Sequence, residues 1–555
     1  MLSLPYYRDK TFIALAISLF LVCPLSYAET LQRDSSLKTQ RRDASFIVRQ
    51  PIRFLSFEEL KSLSLNPKPQ GELREKLNQF WQTPLISNEA YHKGIEPLRP
   101  KPLLLGETLR VASWNIEKSL NIAQMIQLMT SESAFKGMID AQKIAPSSEE
   151  YRNIIRQRER LIESDILILQ EMEIGMKRSG YINAAETIAK SLGMNYVYAP
   201  QYLEIDPVRL GTESIELEEG GADQEALDYY RVDPKRYKGV FGSAVLSRYP
   251  IIHAGIHLLK NQPYDWYWGE KKKSGFLEKA RRFGTKTLFE NEITREMKVG
   301  GRGYFRVDLA VPDLPGGILT VINVHLEIKC DPNGREAQMD EILEEIKDIK
   351  NPVIMMGDYN AAPTDISPTS IGRVVKRTAK NPTTWLGAAV SYVSPHGLAI
   401  NTTRTVSNKT KNFNDPFARN ISVVAPNPLK DMFMMIQNFQ FDDGYTFDFR
   451  GDPLRSIGNK NGKLANSNQR GKKGFVTTFS VKRPWGLIGK YRLDWVFVKS
   501  QNRTPEDTHW PYRFSPHFGE TLEEMNTGLL HPISDHHPNI VDLPFEEPRI
   551  QSPSA

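Results

Sequence analysis

Six short clusters along the chain collect side chains that bind hard cations or move protons. They are Trp114-Asn115-Ile116-Glu117, Gln170-Glu171, Asn323-Val324-His325, Gly357-Asp358-Tyr359-Asn360, Arg492-Leu493-Asp494-Trp495 and Ser534-Asp535-His536-His537. Carboxylates and amide oxygens are hard ligands suited to Mg²⁺, which keeps several of its waters and takes one or two carboxylates from a protein. Imidazole adds a group that gains and loses a proton near neutral pH. Paired cysteines are absent, which argues against a structural zinc site, and the ten histidines lack the close helical spacing of zinc hydrolases. Any one cluster alone reads as a turn former, because Asp and Asn hydrogen-bond their own backbone beside a strand. Six in series call for elements that would bring them together.

Those elements are short apolar runs bounded by polar residues, the signature of buried strands. Leu109 to Ser113, Asp165 to Leu169, Ala244 to Leu246, Leu319 to Val324, Val353 to Met356 and Leu493 to Val498 fit that description. Five of the clusters sit at an end of such a run. Strand alternation points Tyr359 and Trp495 away from the face that carries Asp358 and Asp494, so both read as core or support. A helix is predicted over 147–163, with Ser147 and Glu150 as a capping box and Tyr151, Ile154, Ile155, Leu161 and Ile162 as its apolar stripe. Helical spacing also marks Phe57 to Leu60 and Gly71 to Trp81. Periodicity by itself supports a mixed α/β chain and nothing finer.

The order and residue types of the six clusters, with Phe241-Gly242-Ser243-Ala244-Val245-Leu246-Ser247-Arg248 between them, resemble the endonuclease/exonuclease/phosphatase superfamily over about residues 109 to 543. That resemblance implies a four-layer α/β sandwich of two packed, mainly antiparallel sheets flanked by helices, with one cleft at the sheet edges. It implies Glu171 as the principal metal ligand, Asn115 and Asp535 close to the same ion, and Glu117 as a supporting acid. His536 resembles the general base and Asp494 the carboxylate that orients it. Asp358 and Asn360 match the pair that positions the nucleophile and contacts phosphate, and His325 matches a second histidine, expected as an imidazolium. The implied cofactor is Mg²⁺, with Mn²⁺ or Ca²⁺ as alternatives, and the implied reaction is in-line attack of water on phosphorus. Ser243 departs from the pattern, since many members carry Asn there. His537 reads as a turn residue, and Arg335 and Gln338 as a structural helix face.

Further along, 133 residues separate Asn360 from Asp494, far more than a simple connection. Insertions are expected near 201–238, 260–300 and 365–480 within a catalytic domain at 106–545. The second carries Tyr264-Asp265-Trp266-Tyr267-Trp268 followed by Lys271-Lys272-Lys273 and Arg281-Arg282. Aromatics beside cations suit stacked bases on a phosphate backbone, or a peripheral membrane contact through 264–273, or simply a packed aromatic hairpin.

Length and composition describe a globular chain of 555 residues, 40% hydrophobic and 25% charged, with a net charge of +6 that is too mild to demand a polyanionic partner. Arg8 and Lys10 precede the apolar run Phe12 to Val22, and Ser26-Tyr27-Ala28 offers a cleavage site, so residues 1–28 read as a signal peptide and the protein as periplasmic or secreted. Cys23 would leave with that segment, and Cys330 would then stand alone without a disulfide. A flexible lead-in with short helices follows at 29–105, and a tail at 546–555. Three functions fit: a nuclease-like phosphodiesterase, a sphingomyelinase-like or inositol-phosphate phosphoesterase, and a non-catalytic binder on the same scaffold; the expected partner is a phosphate-ester substrate, nucleic acid or phospholipid headgroup. No protein partner is inferred. Intact catalytic positions speak against the binder.

Overall fold

Along each central strand, side chains alternate between two apolar environments, and this period of two generates the layers. The computed structural model describes residues 46–102, 105–213, 230–271, 296–361, 429–448, 477–485, 488–500 and 517–546. The first sheet is built from β1 (Arg49–Gln50), β2 (Leu85–Ser87), β3 (Thr108–Asn115), β4 (Ile166–Ile174), β5 (Asn195–Glu204), β6 (Val240–Ser247), β8 (Lys298–Gly300), β15 (His517–Thr521) and β16 (Asn539–Pro544). Its order is β1-β2-β5-β6-β4-β3-β16-β15, with β8 added to the end of β5. The second is β14 (Asp494–Lys499), β11 (Val353–Asp358), β10 (Ile318–His325), β9 (Gly303–Ala310) and β7 (Ile251–Leu258), in that order. A separate pair joins β12 (Phe479–Trp485) to β13 (Ile488–Tyr491). All pairings are antiparallel except β3 with β4 and β10 with β11.

Between the two large sheets lie Leu109, Val111, Ile166, Ile168, Val245, Val321, Ile354, Met356, Val496, Val498, Val541 and Leu543. The intervening residues Ala112, Trp114, Leu167, Leu169 and Leu246 face outward into a second core, beneath the helices Ile122–Thr130, Glu149–Ile162 and Ala184–Leu192. On the far side, Ile322, Val324, Met355, Tyr359, Trp495 and Phe497 pack under Pro332–Ile346 and Lys430–Asn438. The result is helix, sheet, sheet, helix: a four-layer α/β sandwich. Tyr359 and Trp495 lie in the outer core, where alternation places them.

Local signals shift a few boundaries. The helix read over 147–163 runs Glu149–Ile162, and its cap is Ser148, whose side chain accepts from Tyr151 N. Ser147 is therefore outside the cap and Glu150 cannot close a box with it. Residues 49–87 contribute β1, β2 and two helices, Phe57–Leu65 and Gly71–Gln82, whose Leu60, Leu63, Leu77 and Phe80 enter the main core. The aromatic segment of the second insertion is a short helix, Trp266–Lys271, not a hairpin. The signal peptide, residues 29–45 and 103–104 of the lead-in, the 547–555 stretch of the tail, Lys272, Lys273, Arg281, Arg282 and most of 365–480 lie outside the described residues. Among the described residues no helix is long and apolar enough to cross a membrane.

Candidate active site

At one end of the sandwich the inward-facing period turns from apolar to polar on six of the strands. Val111 gives way to Ser113 and Asn115, Ile168 to Gln170, Val321 to Asn323 and His325, Met356 to Asp358, Val496 to Asp494, and Val541 to Asn539. Register then lines them up. Parallel pairing sets His325 beside Asp358, and antiparallel pairing sets Asp358 beside Asp494, so three candidate groups share one face of the second sheet. The threshold is bridged by amides: Gln170 donates to Asn323 Oδ1 at 2.9 Å, and Asn323 donates to the carbonyls of Leu169 and Ala244, both at 3.1 Å. These bonds fix the separation of the two sheets where the cleft begins.

His536 is placed by the turn that leads into β16. Ser534 Oγ donates to Asn115 O at 2.7 Å and accepts from His536 N at 3.1 Å, while Trp114 Nε1 donates to His536 O at 3.0 Å. The ring presents Nδ1 to Asp494 Oδ2 at 2.9 Å. A carboxylate only accepts, so Nδ1 carries the proton and Nε2 faces the cleft, 3.8 Å from Asp358 Oδ2. Asp494 is held by its own backbone: its N–H and that of Leu493 donate to Thr478 Oγ1, and its carbonyl accepts from Asn539. Asp358 accepts from Asn115 Nδ2 at 3.0 Å and from Asn360 N at 2.7 Å. Asn360, in a left-handed backbone conformation with φ 48°, spends one amide hydrogen on Leu326 O and keeps another.

A second group of candidates meets at a strained turn. Glu117, Lys118 and Ser119 are three consecutive non-glycine residues with φ of 45°, 54° and 57°, each costing about 1 to 2 kcal/mol. The turn aims Lys118 N–H at Glu171 Oε2, 3.1 Å away, and Glu117 N–H at Asn115 Oδ1, also 3.1 Å away. Glu171 itself has φ 57° and sits in the bulge between β4 and β6. Ser119 Oγ locks the bulge, donating to Glu171 O and accepting from Glu173 N. Lys118 Nζ pairs with buried Glu296, which holds the turn from the other side.

Electrostatics separate these groups. Burial pushes the Asp358 carboxyl up to about 7, with the charge of His536 pulling the other way. Burial likewise raises Asp535, His536 opposes, and the neighbouring carboxylate of Glu171 adds to the rise. Burial disfavours charge on His536, yet Asp494 and Asp358 outweigh it and hold the ring well above its ordinary value. His325 goes the opposite way: burial and the charges of Arg302, His536 and Lys298 push it well below its ordinary value, which works against the imidazolium expected there.

Two places could hold a cation. Asp358, Asp494 and His536 each offer a ligand atom within 4.8 Å of the others. The second place lies between the mutually repelling carboxylates of Glu171 and Asp535, whose oxygens suit a hard cation. Glu117 meets Asn115 through its backbone.

Residues 112–536 match the model of the endonuclease/exonuclease/phosphatase family, well over half of the chain. The chain belongs to that family. No curated protein matches it in sequence. Solved structures similar to it include an endonuclease/exonuclease/phosphatase from Beutenbergia cavernae DSM 12333, at 15% identity over 79% of this chain and 71% of that one, TM-score 0.34. A 3′ phosphatase from Neisseria bound to product DNA hairpin is similar at 11% identity over 78% and 99%, TM-score 0.33. An AP endonuclease from Archaeoglobus fulgidus is similar at 13% identity over 78% and 99%, TM-score 0.32. Likenesses of this degree carry no argument about substrate. Endonuclease/exonuclease/phosphatase members hydrolyse phosphate esters, and the polar sheet end of this member gathers His536, Asp494, Asp358, Asn360, His325, Asn115, Glu171 and Asp535.

The bland readings also have their geometry. His537 spends one ring nitrogen on Asn526 and the other on Ser480 Oγ, a structural role. Gln338 and Arg335 bind the backbone of Glu327, shaping the loop after His325. Sequence reading missed Ser534, Thr478, Asn539 and the Lys118–Glu296 pair as site supports. Ser534 was within reach, since it opens the Ser-Asp-His cluster. The others act through tertiary neighbours that no local pattern reveals.

Proposed function

We propose that this protein is an exported, divalent-metal-dependent phosphodiesterase of nuclease type that hydrolyses its substrate by in-line attack of water. The observation that carries the reading is His536, fixed by Asp494 on one ring nitrogen and facing Asp358 across 3.8 Å with the other. A water hydrogen-bonded to both would be oriented by Asp358 and deprotonated by His536. A proton on Asp358, or a cation at Asp535, would weaken the hold of the surrounding carboxylates on the His536 proton and favour its action as a base. Asn360 and His325 would donate to phosphoryl oxygens as negative charge builds there. Glu171, Asp535 and Asn115 would hold Mg²⁺, or Mn²⁺ or Ca²⁺ in its stead. Such an ion, when bound, supplies neutralisation of phosphate charge. Export rests on the apolar run Phe12 to Val22 and the Ser26-Tyr27-Ala28 site.

The test is hydrolysis by the purified protein in Mg²⁺ and in EDTA, on plasmid DNA, RNA, sphingomyelin vesicles and inositol phosphates, with Glu171→Gln in parallel. Cleavage of nucleic acid that needs metal and falls on the order of 100-fold or more in the variant is expected. Turnover confined to sphingomyelin or inositol phosphates would replace the nuclease reading with the lipid one. Turnover indifferent to EDTA would refute metal dependence.

A further inference from the structure

A buried arginine beside the site has donors that nothing spends. Arg302 immediately precedes β9, whose antiparallel register with β10 brings it to the strand end that carries His325. It is only 4% exposed, and neither Nε nor Nη1 has a hydrogen-bond partner among the described residues. Glu327 Oε2 lies 3.5 Å from Nε, near enough for an ion pair but without a hydrogen bond. A guanidinium carries five N–H donors, and leaving buried donors of a charged group unmade is among the most expensive arrangements in a folded protein.

Two more unspent groups stand at the same sheet end. His325 Nδ1 and Ser243 Oγ are both buried and without a partner. Ser243 and Phe241 point inward on β6, and the Phe241 ring lies 6.4 Å from that of His325. Lys298 Nζ lies 4.8 Å from the Phe241 ring and 4.5 Å from Trp266, while the Arg302 guanidinium lies 5.4 Å from Tyr202, so cations and rings together form one wall. The charge of Arg302 is felt across the cleft, by His325, Glu171 and Asp358. Buried unspent donors on a guanidinium whose neighbouring carboxylate, Glu327, lies too far to accept from Nε fit an oxyanion.

We propose that Arg302 is the anchor of an anion subsite next to His325, with Ser243 at its rim, which grips the non-bridging oxygens of a substrate phosphoryl group. The proposal deepens the hydrolase reading and rests on it for the identity of the anion. It also accounts for a buried ring of the 264–268 segment, because Trp266 donates to Glu327 at 3.0 Å and so keeps that carboxylate from capping the guanidinium.

Calorimetric titration of inorganic phosphate into the full chain, in EDTA and in Mg²⁺, tests it. Arg302→Gln is expected to weaken phosphate binding tenfold or more, the scale of a charge-assisted pair. Arg302→Lys should weaken it less, because a point charge replaces a fork, and Glu327→Gln should leave it equal or tighter. Wild-type affinity in folded Arg302→Gln would overturn the proposal. Should that variant fail to fold, unchanged affinity in Arg302→Lys together with a loss in Glu327→Gln would overturn it instead. Binding is read without turnover. An inactive protein that binds phosphate through Arg302 would therefore retire the hydrolase reading and keep the subsite, and an active one indifferent to Arg302 would do the reverse.

Discussion

Strands β3 and β16 carry buried charge at both ends, about 17 Å apart at 3.3 Å per residue, and the two ends are built on opposite principles. At one end Arg110 grips Asp542 with two bonds and Glu163 with a third, while Arg160 bridges Asp542 to Glu520 and Arg156 takes both oxygens of Glu520. Three guanidinium groups meet three carboxylates. At the other end Asp358, Asp494 and Asp535 crowd around His536, the Asp358 and Asp535 carboxyls rise above their ordinary value, and Arg302 is left with unspent donors. A network whose charges are all answered serves the fold. A cluster that gathers several carboxylates around one imidazole is stable only because the fold overrules their repulsion, and such a cluster is available for chemistry.

The contrast is most exposed to challenge at the paired end. Asp542→Ala removes the acceptor of two buried arginines, and a loss of about 3 to 5 kcal/mol in urea unfolding is expected, because uncompensated charges remain. A loss below about 1 kcal/mol would mean that water or neighbours answer Arg110 and that the network is not structural. A smaller effect is read through pH. Burial opposes ionisation of Glu520, but its bonds to Arg156 and the charge of Arg160 outweigh it, so its folded pKa lies below the ordinary 4.5. A depressed carboxyl contributes stability above the unfolded value and loses it as pH falls through the folded one. The stability difference between wild type and Glu520→Gln should therefore be full at pH 7 and shrink below pH 4.5. A difference that is flat with pH would remove Glu520 from the network.

Much of the site was legible because a buried strand announces both its faces. Asp358 and Asp494 could be set on one face and Tyr359 and Trp495 on the other from alternation alone, and the two cores hold them so. Five of the six clusters were legible because each sits where such a strand meets its polar end. What stayed hidden depends on neighbours far away in the chain. His325 reads as an imidazolium until its burial, and Arg302 and Lys298 beside it, are seen to disfavour the charge. The Glu117–Ser119 turn has no glycine to signal left-handed backbone, and it persists through Glu296, more than 170 residues on. β1, β2 and β8 are two or three residues long, too short for any period to show. Ser147 and Ser148 are equally good caps in sequence, and packing of the Glu149–Ile162 helix chooses between them.

The decisive measurement takes turnover and thermal stability from the same preparation of His536→Ala, with Asp542→Ala as the reference for structural damage. The site as described predicts a fall in turnover of about 100-fold to 10,000-fold with a melting temperature close to wild type. Retained turnover, or a loss of stability as large as that of Asp542→Ala, would show that His536 belongs to the scaffold and that the reactive centre lies elsewhere.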